Sequence, residues 1–246
     1  MIYIANWKMH GNSRDIESLN PIIKLSKQKK YRNIKLVYCP PYTLLDLMKR
    51  KFINSKIHVG AQNCHFNSEY GAFTGSINSK MLKSIGTKYV IIGHSENRTD
   101  GDNDLIINKK IKSALQENLK VILCIGETLF EKRKKLTKKI LKKQIKNSLY
   151  KVKKVENIIF AYEPRWAIGT GIIPKTKTLT KNIIDIKKIL ISVNKKLNSA
   201  KILYGGSVNS QNVKEIVKIK GIDGFLVGGA SLNSKKFIDI IKKSIN

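Results

Sequence analysis

Glu163 closes the apolar run Ile158-Ile159-Phe160-Ala161-Tyr162 and stands before Pro164. A carboxylate at the end of such a run is poorly solvated, which favours its protonated form and suits a general base. The alternative is an ion-paired or helix-capping glutamate. His94 follows Ile91-Ile92-Gly93 and precedes Ser95-Glu96-Asn97. If a helix starts just beyond it, backbone N–H groups disfavour the imidazolium and keep the ring neutral. A neutral imidazole can donate a hydrogen bond to a carbonyl or enediolate oxygen; a histidine satisfied in the core is the other reading. Asn6 and Lys8 end the first apolar run, and the lysine brings positive charge to the same region unless it only snorkels to a rim.

Two glycine turns add a second chemistry. Gly205-Gly206-Ser207 and Gly228-Gly229 leave backbone N–H groups uncovered by side chains, and a short helix beginning near Asn233 adds the positive end of its dipole. One glycine pair would mark a tight turn; two in successive units point to a bound phosphate. Between base and glycines lies Pro164-Arg165-Trp166-Ala167-Ile168-Gly169-Thr170-Gly171. An apolar tip with two glycines describes a lid able to close over a ligand and exclude water, against the alternative of a static surface loop.

The elements that must hold these residues are short β-branched runs: Ile2–Lys8, Lys35–Pro40, Ile57–Asn63, Lys88–His94, Lys120–Glu127, Ile158–Pro164, Lys201–Ser207 and Asp223–Gly229. Several are nearly continuous in apolar character, as in parallel strands covered on both faces. Amphipathic stretches separate them. Ile183, Ile186, Ile189 and Leu190 form one stripe, and Ile111, Leu115 and Leu119 another; Val213, Ile216 and Val217 form a third, with Ser210 as its expected N-cap. Eight strand–helix units fill the chain without a linker, which predicts an α/β fold, a single closed (β/α)8 barrel spanning residues 1–246. In that fold chemistry sits at the C-terminal ends of the strands, where Asn6, Lys8, His94, Glu163 and the two glycine turns fall.

Composition narrows the function. The chain has 246 residues, 48 Lys+Arg against 17 Asp+Glu, a net charge of +31 and 41% hydrophobic residues. The apolar content excludes global disorder, and no apolar run approaches the ~18 residues of a membrane span. No signal peptide is expected after Met1–Trp7, so a soluble, cytoplasmic protein is. Cys39, Cys64 and Cys124 read as buried free thiols, and no Cys or His spacing suits a metal site. The lysines are scattered along helix-like segments rather than clustered with aromatics, so specific nucleic-acid binding is not expected.

Several segments together resemble the triosephosphate isomerase family. They are Asn6-Trp7-Lys8-Met9, Gly93-His94-Ser95-Glu96, Cys124-Ile125-Gly126-Glu127, Tyr162-Glu163-Pro164, Trp166-Ala167-Ile168-Gly169-Thr170-Gly171, Tyr204-Gly205-Gly206-Ser207 and Leu226-Val227-Gly228-Gly229-Ala230-Ser231. The family is itself a well-known instance of a glutamate base paired with a neutral imidazole. The resemblance implies Glu163 as the base that moves a proton between two substrate carbons and His94 as the electrophile. It implies Lys8 for electrostatic stabilisation and Asn6 for substrate orientation. It gives Ser95, Glu96, Cys124 and Trp166 supporting positions, and makes Gly169, Ser207, Gly228 and Gly229 phosphate donors. Tyr204 and Ser207 would latch the closed lid. The implied reaction interconverts dihydroxyacetone phosphate and D-glyceraldehyde 3-phosphate with no metal or organic cofactor.

A homodimer is implied too, through the loop from Gln62 to Gly75 with Thr74 near its tip. Two departures bear on this picture. Ser76 stands where the family commonly has a glutamate that pairs with an arginine, which leaves Arg98 without that partner. The second lid hinge reads Ile172-Ile173-Pro174 instead of Lys-x-Ala. The competing functions are another sugar-phosphate barrel enzyme, which the joint presence of Asn6, Lys8, His94 and Glu163 opposes, and a polyanion-binding protein.

Overall fold

The eight apolar runs become eight strands in the computed structural model, which describes residues 1–245. They are β1 Ile2–Asn6, β2 Lys35–Cys39, β3 Ile57–Ala61, β4 Tyr89–Ile92, β5 Lys120–Ile125, β6 Ile158–Tyr162, β7 Ile202–Tyr204 and β8 Gly224–Val227. All neighbours pair in parallel, and β8 returns to β1 with Ile2 opposite Gly224 and Ala5 opposite Val227, so the barrel closes. Each strand stops short of the predicted C-terminal end. Asn6, Tyr162 and Tyr204 keep the ladder, whereas Lys8, His94, Glu163 and Ser207 lie beyond it, on the turns at the C-terminal ends of the strands.

Side chains alternate across each strand, and both sides are buried. Ile4, Val37, Cys39, Ile91, Ile122, Cys124, Ala161, Leu203 and Leu226 fill the interior of the barrel. Their neighbours Tyr3, Ala5, Tyr38, Val90, Phe160, Tyr162, Phe225 and Val227 face the helices. Burial on both faces is why the runs read as continuous rather than alternating.

The helices are α1 Asn20–Lys27, α2 Leu45–Lys51, α3 Ser79–Ser84, α4 Ser95–Thr99, α5 Asp104–Gln116, α6 Leu129–Arg133, α7 Thr137–Ser148, α8 Thr176–Val193, α9 Val213–Val217 and α10 Ser234–Ile245. On α8 the predicted stripe Ile183, Ile186, Ile189 and Leu190 is buried. Each such burial stabilises by about 1.5–3 kcal/mol before conformational entropy is counted. Ile111 and Leu115 do the same on α5, while Leu119 is buried in the turn beyond it. Side chains fix several helix starts: Asn103 accepts from the N–H groups of Leu105 and Ile106, and Thr128 forms a capping box with Glu131.

Two local expectations need correction. Ser210 does not cap α9; Asn212 holds that position, and Asn209 organises the turn by accepting from the N–H groups of Gln211 and Asn212. The helix near Asn233 is not short. It runs the 12 residues of α10, and the turn nearest the glycine pair is a separate 3-10 segment, Gly229–Leu232. Among the described residues no helix is long and apolar enough to cross a membrane.

Candidate active site

Glu163 leaves β6 with its N–H still donating to the Ile125 carbonyl at 2.8 Å, so the sheet fixes its backbone. Its side chain is buried, with Oε1 3.3 Å from His94 Nε2. Oε2 is buried with no hydrogen-bond partner among the described residues. An unpaired buried carboxylate oxygen is costly, and a proton acceptor is what such an atom can become. Gly205 makes room for it, since a Cβ there would lie 2.6 Å from Glu163 Cγ.

His94 caps α4, with its Nδ1 accepting from the Glu96 N–H at 3.3 Å. The Glu96 carboxylate also approaches Nδ1, at 3.4 Å from Oε2, but its Oε1 is engaged by Lys8 Nζ at 2.6 Å. The backbone donor is fixed by the helix and wins, so the ring proton sits on Nε2 and faces Glu163. That is the tautomer a hydrogen-bond donor to a substrate oxygen requires. Ser95 begins the same helix and, with Cys124 and Glu163, lines a narrow cleft beside the base. Burial first, and the neighbouring Glu163 charge second, push the Cys124 thiol well above the ordinary range, so it acts as packing and not as a nucleophile.

Lys8 has a left-handed backbone, φ 52°, which costs a non-glycine residue about 1–2 kcal/mol. Two side chains hold it there. Asn6 Oδ1 accepts from the Lys8 N–H at 3.0 Å, and Gln62 Nε2 donates to the Lys8 carbonyl at 2.8 Å and to the Cys39 carbonyl at 2.9 Å. The strain is local to the site and directs the ammonium across the barrel mouth to Glu96.

A cavity of about 290 Å³ opens above these groups, and Asn6, Lys8, His94 and Glu163 form one side of it. Gly169, Ser207, Gly228 and Gly229 line the other. A Cβ at Gly229 would meet nothing within 4 Å, and one at Gly228 would reach only Lys8 Cε at 3.5 Å, so the bare backbone faces open space. Backbone amides around such a space, with a lysine at its edge, suit an oxyanion. Among the described residues no group of three or more His, Cys, Asp or Glu is placed to hold a metal ion.

The lid is tied down at both ends. Ser207 Oγ donates to the Ala167 carbonyl at 2.7 Å and accepts from the Gly171 N–H at 3.1 Å. Tyr204 does not share in this: its hydroxyl is buried without a hydrogen bond among the described residues, so the expected second latch is not formed. At the other end Trp166 Nε1 donates to Glu127 Oε1 at 2.9 Å, while the Arg165 N–H donates to the Glu127 carbonyl at 3.0 Å. Burial raises the Glu127 carboxyl above its usual range, and the bonds from Trp166 and Tyr162 pull it back.

Glu127 and Gln62 were missed as site residues. Glu127 lies inside Cys124-Ile125-Gly126-Glu127, at the tip of a strand, and that position was the available signal. Gln62 sits at the start of a loop read only for its place in an interface. Ser76 leaves Arg98 without the interface glutamate, but not without partners: Arg98 donates to the Gly93 carbonyl at 2.9 Å and to Asp104 Oδ1 at 2.8 Å, both within its own chain.

A closed parallel barrel with a carboxylate facing an imidazole, a lysine and a glycine-lined anion pocket at its C-terminal end defines a phosphate-binding (β/α)8 enzyme. The family model for triosephosphate isomerase matches residues 1–244, and the chain belongs to that family. It is 41% identical over 242 residues to triosephosphate isomerase of Thermodesulfovibrio yellowstonii, covering 97% of both chains. It is 42% identical over 253 residues to that of Buchnera aphidicola subsp. Baizongia pistaciae, covering 100% of this chain and 98% of the other. The crystal structure of the Bartonella henselae enzyme superposes with a TM-score of 0.89 at 32% identity, covering 100% of this chain and 99% of that one.

Proposed function

We propose that this single-domain chain interconverts dihydroxyacetone phosphate and D-glyceraldehyde 3-phosphate through the residues gathered at the cavity floor. The observation that carries the assignment of roles is the 3.3 Å approach of Glu163 Oε1 to His94 Nε2 beneath the glycine-lined pocket. Glu163 removes a proton from C1 of dihydroxyacetone phosphate. His94 donates from Nε2 to the carbonyl oxygen, and Lys8 offsets the negative charge of the enediolate. Glu163 returns the proton at C2 while the hydroxyl proton on O1 passes to O2 by way of His94, which gives the aldehyde. Atoms and electrons balance within the substrate, so the step calls for no redox partner.

Gly169, Ser207, Gly228 and Gly229 hold the phosphate, and the lid over them excludes water from an enediolate that would otherwise lose its phosphate. Asn6 orients the substrate and shapes the Lys8 backbone; Glu96 and Trp166 position the lysine and the lid. The chain works in the cytoplasm as a homodimer. Support for the dimer comes from the loop between β3 and α3, where Phe66, Tyr70 and Phe73 are exposed and residues 71–76, including Thr74, lie open to solvent. A coupled assay of triose phosphate interconversion on purified protein tests the reading. Turnover without added metal or nicotinamide in the isomerisation step supports it; absence of turnover in folded protein refutes it.

A further inference from the structure

The opposite, N-terminal mouth of the barrel lies roughly 17 Å away, the length of a five-residue strand, and carries its own cluster of charge. Lys35 and Lys120 open β2 and β5, and alternation puts them on the same side as Val37 and Ile122, which line the barrel interior. His58 of β3 pairs in register with Val37, and its ring lies 5.7 Å from that of Tyr89, another interior residue. Lys120 Nζ sits 5.9 Å over the same Tyr89 ring. Lys88, just ahead of β4, and Lys49 of α2 complete the group, and with His58 they line a cavity of about 160 Å³.

None of these four lysines forms an ion pair among the described residues. Asp223, an acid at this end of the barrel, is taken by Lys201 at 3.0 Å and by the Ile202 N–H. Desolvation first, then the charges of Lys88, Lys35, Lys120 and Lys49, hold His58 down at a pKa of about 4. Strands β2 and β5, helix α2 and the turn before β4 therefore bring like charge around one half-buried neutral imidazole, with none of these lysines ion-paired among the described residues.

We propose that this mouth is a binding site for a polyphosphate chain, separate from the catalytic pocket. A multivalent linear oxyanion relieves the repulsion of several lysines at once, which a single small anion does less well. A nucleic acid fits worse, because strand-binding grooves stack bases on exposed aromatics and Tyr89 is buried. Binding is linked to protons: the anion neutralises the lysines, so His58 regains a proton more readily and affinity rises as pH falls.

Tripolyphosphate is the probe. In low salt, the His58 ring-proton NMR resonance, assigned by its loss in His58→Gln, is followed through and well to either side of its midpoint with and without it. The titration midpoint is expected to move upward by about one pH unit, in line with the removal of a nearby like-charge effect. The Lys35→Gln, Lys88→Gln, Lys120→Gln triple variant, with fold confirmed by circular dichroism, is expected to bind about tenfold or more weakly, at up to about fivefold per exposed charge, with triose isomerisation unchanged. ATP should shift His58 as tripolyphosphate does; a response to ATP alone would overturn the reading of the chain itself. An unmoved His58 midpoint, or undiminished binding by the triple variant, would overturn the site.

Discussion

Gly229 offers a sharp test of the anion pocket at the scale of single residues. Because a Cβ there meets nothing within 4 Å, Gly229→Ala should fold with unchanged thermal stability while its added methyl takes space from the phosphate. A rise of about tenfold in KM, and in the inhibition constant of inorganic phosphate, is the expected result; unchanged values in steady-state kinetics would remove Gly229 from the pocket. Glu163, His94 and Lys8 were legible because each ends an apolar run, where burial and chemistry coincide. Glu127 was less so, since its role depends on Trp166 reaching it from 39 positions away. Glu127→Gln keeps an acceptor but brings an amide N–H toward two donors, Tyr162 and Trp166. The lid should be held less firmly, and kcat/KM should fall about tenfold, near the cost of one charged hydrogen bond, with the circular dichroism spectrum intact. Wild-type kinetics would show that the lid does not depend on this anchor.

The elements followed from periodicity, and their ends did not. A strand's apolar run continues into its tip, as in Tyr162-Glu163-Pro164, but pairing stops where the chain must turn outward, so the predicted strands overshoot. The start of α9 was misplaced because several polar residues in Asn209-Ser210-Gln211-Asn212 can cap or turn, and side-chain geometry chooses among them. At the lid, Pro174 is buried and Ile173 packs against the core, whereas Ile172 is exposed. Pro174 fixes its own φ and restricts Ile173, and both isoleucines are β-branched, so this hinge has few states through which to move. Replacing Ile172-Ile173-Pro174 by Lys-Thr-Ala should raise kcat by about twofold or more and reduce its dependence on solvent viscosity, as expected where lid opening limits turnover. A kcat that stays the same or falls in the folded variant would place the limiting step elsewhere.

For the whole molecule, the scattered lysines are mostly exposed, in keeping with solvated faces, but Lys110 breaks the pattern. It is buried and held by Asp102 at 2.6 Å and Asn63 Oδ1 at 3.1 Å, at the root of the aromatic loop. No composition reading could have found it, because only the fold brings Asn63, Asp102 and Lys110 together. The same loop carries the proposed dimer. Tyr70→Lys with Phe73→Lys should yield a monomer in analytical ultracentrifugation, with kcat reduced at least tenfold if the partner's loop steadies the site; a dimer of undiminished affinity would place the interface elsewhere. The central claim, that Glu163 moves a proton through an enediolate, is tested most directly by running the isomerisation in D₂O. Wild-type protein should give D-glyceraldehyde 3-phosphate carrying solvent deuterium at C2, and Glu163→Gln should lose about 10²–10⁴-fold in rate. Product formed with its C2 hydrogen wholly retained from C1, or a Glu163→Gln variant keeping more than about a tenth of kcat where a base is worth far more, would contradict it.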